Sequence, residues 1–99
     1  MKIFATLDVR ANHFLKLFPD TSTANALRGF SMAANEKGSP FNQFPDDFCL
    51  MELGTFDVNT GKIEVYTAPL NLATARSVLK ADSPTGAPMP MSNAPREAG

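Results

Sequence analysis

The segment spanning residues 44–66 constrains the fold most, because all of its local signals agree on one structure. Two runs rich in β-branched and aromatic residues, 48–56 and 62–66, flank the turn-forming sequence DVNTG at residues 57–61. This arrangement predicts a β-hairpin with a type I turn. Gly61 is expected to adopt the left-handed conformation that returns the chain to the ladder through a glycine bulge.

The first strand of the predicted hairpin carries apolar side chains on both faces. Because successive side chains point to opposite faces of a strand, Cys49, Met51 and Leu53 share one face. The residues that share the other face are Phe48, Leu50 and Phe56. A strand of this kind needs cover on both sides. We expect a helix of the same chain to cover one face and a second subunit to cover the face with Leu50, which predicts self-association into a homo-oligomer.

The chain before the hairpin predicts two more strands and the main helix. Residues 2–8 alternate as a first strand, and residues 13–18 suit a second strand paired with it, although periodicity leaves a short helix open for the same six residues. Polar residues at 20–23 can cap a helix over 24–37, which has an apolar stripe. Gly29 lies near this stripe, where it either allows close approach to a strand or is simply tolerated.

After the hairpin, the break at Pro69 and the capping residue Asn71 predict a short second helix over 72–79. The whole pattern predicts an α+β fold with an antiparallel sheet of about four strands in ββαββα order. One main helix packs on this sheet, and the domain covers residues 1–80. Residues 81–99 are rich in proline and are expected to form a disordered tail, in which two methionines offer an alternative role as a short partner contact.

Composition limits the classes of function. The 99-residue chain has nine basic and ten acidic residues, scattered along the sequence, for a net charge of −1. This balance argues against a protein that coats nucleic acid by charge alone, but it leaves room for a local basic face. No segment approaches the roughly 20 apolar residues of a membrane span, and no signal peptide is expected, which predicts a soluble cytoplasmic protein.

The sequence offers no catalytic or metal-binding constellation, and we expect neither an enzyme nor a cofactor. His13 has no second ligand at metal-binding spacing. Asp46 and Asp47 are adjacent, so their side chains point apart on an extended chain. The single cysteine, Cys49, lies in an apolar strand and is expected to be a buried hydrophobe.

Three stretches of the sequence resemble one viral family. They are the opening MKIFATLDVRA, the segment ALRGFSMAANEKGSPFNQFPDDF and the hairpin text MELGTFDVNTGKIEVY. Together they resemble the small non-structural protein of gokushoviruses, the single-stranded DNA phages of the microvirus group, over residues 1–79. The resemblance implies a protein of the infected host cytoplasm that is absent from the mature capsid shell. It also implies a role when single-stranded genomes are made and packaged, and it transfers no catalytic residue.

Two functional hypotheses follow. The first is an accessory factor that contacts single-stranded DNA or the viral replication protein, because cationic side chains meet phosphates and aromatic rings stack on bases. The nucleic-acid contact residues under this hypothesis are Arg10, Phe14, Lys16 and Arg28. The second is an oligomeric protein-interaction module without DNA affinity, which binds a host or viral protein through a sheet face or edge. The acidic balance favours the second hypothesis.

Overall fold

The predicted hairpin forms strands β3 (Phe48–Phe56) and β4 (Ile63–Thr74) of a computed structural model that describes residues 1–80. Its turn has the expected chemistry. The side chain of Asp57 accepts a hydrogen bond from the N–H of Asn59 at 2.8 Å. Gly61 has a φ of 78°, so the left-handed conformation predicted for it is confirmed.

The sheet has four strands, as predicted. Strands β1 (Lys2–Asp8) and β2 (His13–Asp20) complete it, in the spatial order β2-β1-β3-β4 with every neighbouring pair antiparallel. The alternative of a short helix over residues 13–18 is therefore wrong. Strands β1 and β3 lie in the centre, and β2 and β4 form the two edges.

Helix α1 (Thr23–Asn35) packs on one side of the sheet, close to its predicted bounds. It begins at Ser22, whose side chain accepts a hydrogen bond from the N–H of Asn25 at 3.1 Å. A single helical turn, α2 (Pro40–Gln43), follows where a loop was expected. Proline suits the first position of a helix because the missing N–H would have no partner there.

The predicted second helix over residues 72–79 is wrong. Strand β4 continues through Pro69 to Thr74, and a 3₁₀ turn at Arg76–Val78 follows it within the residues that the structure describes. Gly54 pairs with Val65 and Glu52 with Leu70, so residues 66–69 of β4 bulge out of the ladder. A proline on a bulged edge strand costs no ladder hydrogen bond. The fold is thus α+β, in the order ββαββ with a terminal 3₁₀ turn.

The core lies between α1 and the sheet. The helix contributes Ala26, Phe30 and Ala34, and the ring of Phe4 in β1 stacks on that of Phe18 in β2 with centroids 5.7 Å apart. Other parts of this cluster are Phe48, Leu50 and Ala75. Because this cluster packs between α1 and the central strands, the position of α1 determines which face of the sheet is covered.

The predicted assignment of the two faces of β3 is wrong. Thr6 pairs with Leu50, and both are buried on the side of α1, where Leu50 is fully inaccessible. Phe48 packs against Phe41 of α2 on the same side, with ring centroids 4.9 Å apart. Phe48 and Leu50 were expected at a contact between subunits, but they belong to the core of a single chain. Alternation yields two sets of residues but does not reveal which set the helix covers.

Phe56 is separated from these two residues by a bulge at Leu53. Ile3 pairs with Gly54 and Phe4 with Glu52, so Leu53 is an extra residue on β3. The bulge reverses the alternation beyond it. Phe56 therefore lies on the face opposite α1, and it is half-buried there.

Gly54 lies where two strands approach too closely for a side chain. A Cβ at this position would collide with the carbonyl oxygen of Glu64 and would lie 3.1 Å from the Cα of Val65, and both atoms belong to backbone. We expect Gly54→Ala to lower the free energy of unfolding by about 1–3 kcal/mol, because the strands must separate.

Gly29→Ala in α1 is the matched control for this substitution. Its Cβ would meet no atom within 4 Å, so we expect the opposite sign, a gain of about 1 kcal/mol from helix propensity. Urea unfolding followed by circular dichroism measures both. Equal stability of the two variants would contradict the close approach at Gly54.

Candidate interaction surface

The face of the sheet opposite α1 is an apolar surface, here called the open face. Both helices and the 3₁₀ turn contribute side chains to the core on the other side. The strand register arranges the open face in three rows that run from β2 to β4. The rows are Pro19, Ile3, Gly54 and Val65; Leu17, Ala5, Met51 and Asn71; and Phe14, Leu7, Cys49 and Thr74. Asn71 and Thr74 are the polar members of these rows, and neither carries a charge.

Exposure on the open face increases from the centre to the edges. Ala5 and Cys49 are each 1% exposed, and the larger Ile3 and Met51 are also buried, so the centre of this face is inaccessible to solvent. Leu17 on β2 is 56% exposed and Val65 on β4 is 77% exposed. The accessible apolar side chains of this face therefore lie on the two edge strands, and exposed apolar surface is typical of sites where proteins bind other molecules.

Cys49 contributes packing rather than reactivity to the open face. Its thiol lies 3.7 Å from the sulfur of Met51. Burial raises the pKa of Cys49, so the thiolate that acts as a nucleophile is disfavoured. The prediction that this cysteine is a buried hydrophobe is confirmed.

On the covered side, the carboxylate of Glu52 collects three hydrogen bonds. The hydroxyl of Tyr66 donates at 2.5 Å, that of Thr23 at 2.9 Å, and the ammonium of Lys2 at 3.3 Å. Glu52 is 3% exposed and thus joins α1 to three strands from a buried position. Sequence reasoning missed this site, although a lone glutamate inside an apolar strand was a signal for it.

The electrostatics of Glu52 follow from these contacts. Desolvation would raise the pKa of Glu52, but the hydrogen bonds from Tyr66, Thr23 and Lys2 outweigh it, and the pKa lies below its usual range. The hydrogen bond to Glu52 raises the pKa of Tyr66. The carboxylate is therefore held ionised and fully partnered, which suits a structural role better than proton transfer.

The four predicted nucleic-acid contacts do not lie on one surface. Arg10, in the β1–β2 turn, and Phe14 and Lys16, on β2, are exposed parts of one hairpin. Arg28 is exposed on α1, on the other side of the sheet from Phe14. The structure thus brings three of the four residues onto one hairpin and separates the fourth from them.

Arg10 also lines an open cavity of about 560 Å³ at the β1–β2 turn. The cavity is shared with Asp8, Asp47 and the exposed ring of Phe44. Two carboxylates beside one guanidinium leave this cavity without a net positive charge. Phosphate binding is disfavoured there for that reason.

The neighbouring Asp46 is held by an ion pair instead of sharing a site with Asp47. Arg76 donates to both of its carboxylate oxygens, at 2.5 and 3.0 Å. The hydrogen bond from Arg76 lowers the pKa of Asp46. This bidentate pair attaches the 3₁₀ turn to the loop before β3, and being exposed it adds little stability.

Two features are absent from residues 1–80. No three or more histidine, cysteine, aspartate or glutamate side chains in that range are grouped so as to hold a metal ion. None of the helices formed by those residues is long and apolar enough to cross a membrane.

Comparison with protein families identifies the chain's relatives. The family model described as phage ORF5 protein matches residues 1–78. The chain belongs to the phage ORF5 protein family. The match extends from β1 to the 3₁₀ turn and covers every element described above, so the chain is a bacteriophage protein. No curated protein and no solved structure matches it.

The Glu52 contacts predict how the stability of the protein depends on pH. A carboxyl whose pKa is lowered by folding stabilises the protein above its unfolded pKa, about 4.3 for glutamate, and this stability is lost as the pH falls through the folded pKa. We expect Tyr66→Phe to lower the free energy of unfolding at pH 7, since a charge-assisted hydrogen bond is lost. The difference from the wild type should shrink as the pH falls below about 4.

Chemical unfolding at a series of pH values measures this effect. Glu64→Gln is the matched control, because Glu64 is an exposed glutamate on β4 whose ion pair with Lys62 is also exposed. The control should unfold like the wild type at every pH. A Tyr66→Phe variant with wild-type stability at pH 7 would show that the hydrogen bond contributes nothing.

Proposed function

We propose that this ORF5 protein is a non-enzymatic, non-structural factor of the infected host cytoplasm that acts in synthesis or packaging of a single-stranded phage genome. The resemblance of residues 1–79 to the gokushovirus protein supports the stage of action. The exposed apolar open face supports the mode of action, which is binding to another protein, the viral replication initiator. This surface is the observation that carries the proposal.

The strand edges of the sheet are less suited to recognition than its open face. Pro19 on β2 and Pro69 on β4 each lack an N–H for a further strand, and the register of both edge strands is irregular. Proline and bulges are the usual means by which proteins prevent pairing at a sheet edge. Binding through side chains of the open face is therefore favoured over addition of a strand.

Self-association is part of the same proposal. Phe48 and Leu50 lie in the core. Phe56 is therefore the one predicted self-association residue that lies on the open face. A second copy and the replication initiator would then compete for one surface. The oligomer should dissociate when the initiator binds.

Two substitutions on the open face test this proposal. We expect Leu17→Lys combined with Val65→Lys to weaken binding to the replication initiator at least tenfold, because two charges would be buried in the contact. Both side chains are more than half exposed, so the fold should persist. Met32→Lys on α1, where Met32 is 69% exposed, is the control and should bind normally.

Isothermal titration calorimetry measures the affinity, and light scattering measures the oligomer. Wild-type protein that does not bind the initiator would refute this partner. Wild-type protein that is monomeric at high concentration would refute self-association. Unchanged initiator binding by the double variant would refute the role of the open face.

Direct DNA binding is the second candidate, and the grouping of Arg10, Phe14 and Lys16 on one hairpin favours it. Under this candidate, two phosphate contacts would weaken binding about tenfold when the salt rises from about 50 to about 200 mM. Arg10→Ala combined with Lys16→Ala would remove that salt dependence. Arg28→Ala, on the other side of the sheet, is the control.

Fluorescence anisotropy with labelled single-stranded DNA distinguishes the two modes. Under the protein-binding proposal, we expect no binding even at the lower salt concentration. Binding that is tight, salt-dependent and lost in the hairpin variant would favour the second candidate instead.

A further inference from the structure

A second cavity lies under α1, on the side of the sheet opposite the open face. It has a volume of about 190 Å³ and opens between α1 and β2. Its walls include the rings of Phe18 and Phe30 and the backbone of Gly29. An apolar cavity of about 150 Å³ in another protein holds one benzene molecule, so this cleft has room for one aromatic side chain.

Gly29 has no explanation in the packing of the chain itself. It lies inside a helix, where glycine is unfavourable relative to alanine, and its φ is not in the left-handed region. A Cβ there would meet no atom within 4 Å, so no strand approaches it. The glycine leaves free space at the mouth of the cleft.

Thr6 supplies a buried polar residue to the wall of the cleft. The residue is 8% exposed and lines the cavity. Among the hydrogen bonds of residues 1–80, none involves its hydroxyl. Buried hydroxyls in proteins are nearly always hydrogen-bonded, so an unpartnered one that lines a cavity points to a partner from outside the chain.

Asp20 supplies a charge at the rim. It is half-buried and lines the same cavity, and its side chain accepts a hydrogen bond from the N–H of Thr21 at 2.7 Å. No cation of the described chain lies within 4 Å of its carboxylate. Lys2, its neighbour across the strands, donates to Glu52 instead. The rim therefore favours a cationic group on whatever enters.

We propose that this cleft binds a tyrosine side chain of a partner protein, next to a lysine or arginine in the partner's sequence. The ring packs between Phe18, Phe30 and Gly29, the phenol hydroxyl bonds to the hydroxyl of Thr6, and the basic neighbour meets Asp20. The site goes beyond the proposed function, because it lies on the other side of the sheet. The cleft can fail to bind a partner while the open face binds one, and the open face can fail while the cleft binds.

Three short peptides test the site on the full ¹⁵N-labelled chain: Ac-Gly-Tyr-Lys-NH₂, Ac-Gly-Phe-Lys-NH₂ and Ac-Gly-Tyr-Glu-NH₂. We expect saturable shifts of the amide signals of Thr6, Gly29 and Ala33 in the NMR spectrum. The Tyr-Lys peptide should bind roughly fivefold more tightly than either of the others, since each lacks one polar contact.

Two variants that keep the shape of the cleft assign the contacts. Thr6→Val should abolish the preference for tyrosine over phenylalanine, and Asp20→Asn should abolish the preference for lysine over glutamate. Gly29→Leu should block all three peptides. If that variant does not fold, the two conservative variants still decide the question.

Three outcomes would overturn the site. One is the absence of shifts at these amides at millimolar concentrations of every peptide. Another is equal affinity for the three peptides. The third is a tyrosine preference that survives Thr6→Val, which would show that the hydroxyl of Thr6 is not the partner of the phenol.

Discussion

The buried carboxylate of Glu52 is the interaction on which the arrangement of elements depends. The regular β3–β4 ladder is interrupted beside it, since Glu52 pairs with Leu70 while Gly54 pairs with Val65. The bond from Tyr66 to Glu52 joins the two strands where ladder pairing is absent. A buried charge without partners is costly, so the donors on β1, α1 and β4 must stay in place together. The close backbone approach at Gly54 adds a second constraint at the same point.

This network also separates the two sides of the sheet chemically. Lys2 and Glu52 of the central strands form an ion pair on the side of α1. The opposite side presents aliphatic, aromatic and sulfur-containing groups, with Asn71 and Thr74 as its polar members. These side chains offer no cation to a phosphate, but they can be buried against another apolar surface at little desolvation cost. The asymmetry thus favours a protein partner over DNA on the open face.

Local signals in the sequence predicted the hairpin, the four strands and α1, because turn residues, capping residues and periodicity are read within a few positions. They could not predict which face of β3 is covered, since alternation is symmetric and the bulge at Leu53 has no local signature. The prediction of a second helix failed because it took Pro69 as the end of the strand. A proline ends a central strand but is tolerated on a bulged edge strand. The contacts of Glu52 could not be predicted from local patterns, because Lys2 is 50 residues away along the chain. Arg10, Phe14 and Lys16 lie on one hairpin because they are close in sequence, whereas Arg28 lies on α1, and local patterns could not show that the sheet separates it from Phe14.

The layered geometry decides how the two binding surfaces could work together. The open face and the cleft under α1 lie on opposite sides of one sheet, separated by the strands themselves. A partner on one side does not block access to the other side. Coupling between the two sites would have to pass through β1, where Ala5 faces the open side and Thr6 faces the cleft, or through the matching pair Cys49 and Leu50 in β3. Ala5 and Cys49 are each 1% exposed, and packed strands resist small displacements, so the sheet would separate the two proposed sites as a rigid layer.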